Sequence, residues 1–149
     1  MKLIFYFFLI LSTFSCQNQE NGGRPNLNEI NLVQKAENYY QSGNYSIAKN
    51  YFDTLLTINR TCGEYYYKRA YCKYRLLDSE AKSDFFKAIE YNYKNKKGAF
   101  LGIGTIYRIE GKYDSAIYYC DKSLEIDPNY QKAKIIKEEI LRRNIKEQQ

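Results

Sequence analysis

The sequence predicts an all-α fold, a short α-solenoid of three helical hairpins closed by a seventh helix, and three observations lead there. First, Gly43-Asn44-Tyr45-x-x-Ala48 returns as Gly111-Lys112-Tyr113-x-x-Ala116 after 68 residues, twice 34. An interval of that size marks stacked helix-turn-helix units, none of which can bury its apolar face without a neighbour. Second, apolar residues recur at steps of three and four on both sides of each motif, the spacing of one face of an α-helix. Third, the punctuation falls where helices must stop: Gly111 stands at a chain reversal and tolerates positive φ, and Pro128 ends the last unit.

The elements follow in order. Before its turn the first hairpin places Leu32, Ala36 and Tyr39 on one stripe, and after it Ala48, Phe52, Leu55, Leu56 and Ile58. The middle hairpin offers Tyr66, Arg69, Ala70 and Leu76, then Ala81, Phe85, Ala88, Ile89 and Tyr91. It is one residue short, since Ala70 to Ala88 is 18 steps whereas Ala36 to Leu55 and Gly104 to Ser123 are each 19, and the loop Asn92 to Lys97 restores the count. The third hairpin carries Phe100, Ile103, Gly104 and Tyr107, then Ala116, Cys120, Ser123, Leu124 and Ile126. Tyr130, Ala133, Ile136, Ile140 and Leu141 continue into a helix over 129–149 that caps the open apolar edge. The expected organisation is three repeats within 28–128 (about 29–62, 63–96 and 97–130) and that cap. At 149 residues and 44% hydrophobic, one small domain accounts for the chain.

This alternation of small and large residues, from about Asn28 to Pro128, resembles the tetratricopeptide repeat family. In that family small residues let two antiparallel helices approach while aromatic residues fill the gap. Gly104, Ala116 and Ser123 match the small positions of the last repeat, Ala36 and Ala48 those of the first, and Ala70, Ala81 and Ala88 those of the middle one. The middle repeat departs from the pattern: Leu77-Asp78 replaces the glycine turn, and Lys73 stands where an aromatic residue is usual. The resemblance implies a curved stack whose inner groove is lined by the first helix of each unit. Inward positions are then Val33, Glu37 and Tyr40, then Tyr67, Lys68, Tyr71, Tyr74 and Arg75, then Leu101, Thr105 and Arg108. Of these, Tyr40, Tyr67, Lys68, Tyr71, Tyr74, Arg75 and Arg108 are the candidate partner-binding residues, because tyrosine and arginine dominate binding hot spots. With 17 Tyr in the chain, the same rings have a second reading as packing between helices. Some family members grip the carboxylate tail of heat-shock chaperones with a fixed set of Lys, Asn and Arg. Here Val33, Glu37, Gly98 and Gly102 occupy those places, so that specificity is not inherited.

The start of the chain differs in kind. Met1-Lys2 precedes an apolar run, Leu3 to Leu11, too short to span a bilayer and shaped like an export signal. Ser15 before Cys16 resembles the lipobox of bacterial lipoproteins, which implies acylation of Cys16 after removal of residues 1–15; cleavage by an ordinary signal peptidase is the alternative. Residues 16–27, polar with Gly22-Gly23 and Pro25, would form a tether. The expected location is the bacterial envelope, at the outer membrane or the periplasmic face.

The chemistry excluded is equally informative. Histidine is absent, which removes the commonest metal ligand and the best proton carrier near neutrality, so neither an enzyme, a metal nor a cofactor is expected. Cys62, Cys72 and Cys120 form no Cys-x-x-Cys pair, and on one helix Cys62 and Cys72 would be about 15 Å apart, too far for a disulfide. Glu80 and Asp84, one turn apart, read as an exposed acidic face rather than a catalytic pair. Gly102-x-Gly104 lacks the preceding strand of a phosphate loop. The net charge of +6 is mild, with no compact basic stripe, so nucleic acid is not an expected partner. Clusters at Lys94, Lys96 and Lys97 and along Lys132 to Lys146 read as solvated faces, with acidic lipid headgroups as the alternative. The function expected is a membrane-anchored, non-catalytic adaptor binding another protein, in particular an acidic or extended segment. A glycan or cell-wall polymer, or a structural homo-oligomer, stands as the alternative.

Overall fold

The structure, a computed structural model, describes residues 27–147. The leader, Cys16 and the tether through Asn26 lie outside the described residues. Within them the chain forms seven helices and no strand: α1 (Leu27–Gln41), α2 (Tyr45–Ile58), α3 (Gly63–Arg75), α4 (Ala81–Glu90), α5 (Lys96–Ile109), α6 (Tyr113–Ile126) and α7 (Gln131–Glu147). Each packs antiparallel on the next, so α1, α3, α5 and α7 form one layer and α2, α4 and α6 the other.

Small residues sit where the layers meet. Ala36, Ala48, Ala70, Ala88, Ala99, Ala116 and Ala133 are fully buried, and Phe52, Leu55, Phe85, Ile103, Cys120 and Ile140 fill the space between them. A Cβ on Gly102 would lie 2.6 Å from the Phe85 ring, so its absence admits that ring. The apolar residues Ile58, Leu76 and Ile126, assigned to buried stripes by periodicity, lie more exposed at helix ends, and Leu141 lies exposed within α7.

All three hairpin turns share one geometry. Gly43 (φ +78°), Leu77 (φ +58°) and Gly111 (φ +73°) adopt the left-handed conformation at intervals of 34. At each, two amides close the helix: Gly43 and Asn44 donate to Tyr40 and Tyr39 carbonyls, Leu77 and Asp78 to Tyr74 and Lys73, and Gly111 and Lys112 to Arg108 and Tyr107. This is the glycine C-cap with leucine substituted in the middle unit. The missing residue therefore lies after the turn. Helix α4 starts four residues beyond its positive-φ residue, against two for α2 and α6, and has 10 residues against their 14. Asp78 accepts from the Glu80 amide at 2.9 Å and orders the extra turn residues. A non-glycine residue in this conformation costs roughly 1–2 kcal/mol, and Leu77 is 88% exposed, so its side chain returns little by burial. Leu77→Gly is expected to stabilise the fold by about 1 kcal/mol, read as a rise in melting temperature by circular dichroism; an unchanged or lower temperature contradicts it.

Between α3 and α4 the core is ionic. Arg69 grips Asp84 with Nε and Nη2, both at 2.7 Å, and reaches Asp53 on α2 with Nη1 at 2.8 Å. Lys73, in place of the aromatic residue found as Tyr39 and Tyr107, lies 3.1 Å from Asp84 and 2.9 Å from Glu80. The reading of Glu80 and Asp84 as one exposed acidic face is thus corrected: Glu80 is exposed, but the Asp84 side chain is 3% exposed. The two cations that α3 aims at α4 draw it inward. Burial lowers the proton affinity of Arg69 and Lys73, yet hydrogen bonds to Asp84, with Asp53 and Glu80, outweigh it and leave both raised.

Candidate groove between the first two hairpins

The ends of α1 and α3 and the start of α2 converge at the turn side of the stack. Tyr40 closes α1, Tyr45 opens α2, and Tyr71, Tyr74 and Arg75 occupy the last turn of α3. The rings of Tyr40 and Tyr71 are 5.5 Å apart edge-on, Tyr45 and Tyr71 5.8 Å, and Tyr71 and Tyr74 6.2 Å. Arg75 lies over this floor, its guanidinium carbon 4.6 Å from the Tyr45 centroid and 5.9 Å from that of Tyr71. It donates to the Tyr45 hydroxyl at 2.8 Å and to that of Tyr71 at 3.4 Å, and these hydroxyls, Tyr71 first, raise its pKa. No carboxylate among the described residues neutralises Arg75. An exposed planar cation on a partly buried aromatic floor can accept a carboxylate or backbone carbonyls and stack against apolar side chains.

The remaining candidates have other surroundings. Tyr67 stacks on Tyr93 at 4.6 Å and meets Phe85 edge-on at 5.6 Å, so its ring packs between α3 and the following hairpin, and burial pushes its hydroxyl up to about 12. Lys68 bonds Glu37 on α1 and lies 2.8 Å from Glu64, so its charge is already compensated. Burial lowers its proton affinity, but these two carboxylates more than restore it. Arg108 faces Glu139 of α7 at 3.8 Å, and its buried Nε has no hydrogen-bond partner. The structure therefore brings Tyr40, Tyr71, Tyr74 and Arg75 together and sets Tyr67, Lys68 and Arg108 apart. Tyr45 completes the cluster without having been singled out; its place two residues after Gly43, at the mouth of the turn, was the available signal.

Among the described residues no group of three or more Cys, Asp or Glu could hold a metal ion. Cys72 and Cys120 are buried free thiols, and burial pushes them up to about 12 and about 11, which suppresses the reactive thiolate.

Comparison with known proteins agrees with this architecture. Residues 31–62 and 99–130 match family models described as tetratricopeptide repeat, flanking the middle hairpin. No curated protein matches the chain. Among solved structures it is similar to the first such domain of Spaghetti (RPAP3) bound to HSP90 peptide SRMEEVD, with TM-score 0.72, 21% identity, and coverage of 78% of this chain and 93% of that one. The Arabidopsis OM64 TPR domain is similar at TM-score 0.71 and 22% identity over 77% of this chain and 95% of that one. The TPR2B domain of yeast Sti1, in a pHsp70 complex, gives TM-score 0.70 and 17% identity over 79% and 99%.

Proposed function

We propose, from the premise that this chain carries tetratricopeptide repeats at 31–62 and 99–130, that it is a non-catalytic module binding an extended segment of another protein. The observation that carries this reading is Arg75, exposed and with no carboxylate against it among the described residues, seated on the cluster of Tyr40, Tyr45, Tyr71 and Tyr74. One of the similar structures holds an HSP90 peptide and another is a pHsp70 complex, which supports a peptide in the groove. The chaperone tail itself is not the proposed ligand here. Glu37, engaged with Lys68, would repel an acidic tail at the first repeat, so the acidic group of the partner is placed at the Arg75 end. A lipid on Cys16 would hold the module at the bacterial envelope.

The test is capture from a membrane extract by residues 17–149, which retain every described helix. A defined protein is expected to be recovered, and Arg75→Ala to lower its affinity by about tenfold, the scale of an arginine hot spot. Because Arg75 is exposed, the fold should keep its stability within about 0.5 kcal/mol. Recovery of no protein, or equal capture by Arg75→Ala and Tyr71→Ala, refutes the groove. Retention of purified wall material by the isolated module would favour the glycan reading. Labelling with a fatty-acid analogue, wild type against Cys16→Ser, tests the anchor separately.

A further inference from the structure

Antiparallel stacking gathers the start of α1 and the junctions α2–α3, α4–α5 and α6–α7 on the edge opposite the turns. Contacts make that edge continuous. A Cβ on Gly63 would lie 2.8 Å from the Tyr91 carbonyl, Tyr66 stacks on Tyr91, the Ser123 hydroxyl donates to the Lys97 carbonyl at 2.8 Å, and Lys97 lies over Tyr130. Its charge is one-sided. Arg60, Lys94 and Lys132 are exposed, and none faces a carboxylate among the described residues. Lys96 donates only to the neutral Asn92 side chain. Of the acids nearby, Glu64 pairs with Lys68, Asp127 with Lys97 and Glu125 with Lys122, which leaves Glu90, exposed at the end of α4, against these cations. Beside these cations stand two exposed isoleucines at equivalent repeat positions, Ile58 at 45% and Ile126 at 50%, with Leu27 at 73%. At the turn edge Lys82 and Lys112 both bind Glu110.

We propose that this edge docks on an anionic phospholipid bilayer, with the lysines and Arg60 on the headgroups and the isoleucines at the level of the glycerol. Each cation near such a surface attracts it, the attraction fading within a Debye length of about 8 Å. Among the described residues no helix is long and apolar enough to cross a membrane, so attachment here is peripheral. The chain enters the solenoid at Leu27 on this same edge, so a lipid on Cys16 would pull the same face down. The Arg75 cluster then stands a helix length away, roughly 20 Å at 1.5 Å per residue, facing the aqueous phase. Groove and edge are separate surfaces, so failure at one leaves the other standing.

The test uses residues 17–149, without Cys16, after circular dichroism confirms cooperative unfolding. Sedimentation is compared with vesicles of phosphatidylcholine alone and of phosphatidylcholine mixed with phosphatidylglycerol. Binding is expected only to the mixed vesicles and should weaken with salt. Lys94→Glu with Lys132→Glu should lose at least about 25-fold, on the order of fivefold for each cation removed and more for each anion added. Arg142→Glu with Arg143→Glu, the same charge change in the last turns of α7 at the opposite edge, should stay within about twofold. Absence of binding to mixed vesicles, equal binding to both kinds, or equal losses in the two double variants overturns the assignment.

Discussion

Replacement of Asp84 by alanine is expected to cost about 3–5 kcal/mol, because it strips two buried cations of their shared partner. Arg69 and Lys73 have side chains 15% and 7% exposed, and both converge on Asp84. Once Asp84 is gone, Arg69 keeps only the partly exposed Asp53, and Lys73 only the exposed Glu80. For a domain of this size the loss corresponds to a drop in melting temperature of roughly 10–20 °C. Glu80→Ala, removing an exposed partner, should cost less than about 1 kcal/mol. The triple change Arg69→Leu, Lys73→Tyr and Asp84→Leu replaces the ionic layer with the apolar filling of the flanking hairpins, and buried ion sets replaced in that way are often neutral or stabilising by about 1–4 kcal/mol. A melting temperature unmoved by Asp84→Ala would show that the network carries no stability.

Alkaline unfolding between about pH 11 and pH 12 is the second large effect. Burial raises the hydroxyl pKa of Tyr40, Tyr65, Tyr67 and Tyr93, the last two to about 12. Below the unfolded value of about 10 both states keep the proton, and the stabilisation is complete. As pH rises further the unfolded chain releases protons that the native chain retains. Each such group then removes about 1.4 kcal/mol per pH unit until its own folded pKa is reached. Four together remove about 6 kcal/mol by pH 11 and about 11 kcal/mol by pH 12, which spans most of a typical domain stability of about 5–15 kcal/mol. Helical circular dichroism should be lost in one cooperative step, and the ionisation of these four tyrosines should coincide with it. Tyr67→Phe, which keeps the ring and deletes the proton, should move the midpoint upward. Ionisation of Tyr40, Tyr65, Tyr67 or Tyr93 near pH 10 while the helices persist would contradict the burial assigned to them.

Much of the fold was legible because its signals are local and recurrent. The Gly43 and Gly111 motifs, the alanines at 36, 48, 70, 88 and 116, and Pro128 each act through backbone geometry or close helix approach, which depend on residue type and spacing alone. The site was legible only in part. Tyr40, Tyr71, Tyr74 and Arg75 share a face by helical spacing, and the structure brings them together. Tyr67 obeys the same spacing but meets Tyr93 and Phe85, contacts that depend on a loop one residue out of register. Lys68 and Arg108 read as available cations because their partners, Glu37 and Glu139, lie on helices distant in the chain.

By itself, then, the sequence determined the helical hairpins, their number, their order and the two glycine turns, since periodicity and backbone preference are written residue by residue; the middle turn at Leu77 was decided in the structure. Tertiary structure alone decided which charges are spent and which are free. Through the packing of α3 against its neighbours Asp84 became a buried counterion, and Arg75 an exposed cation with no carboxylate against it among the described residues. Electrostatic pairing depends on distance through space, and no linear spacing records it.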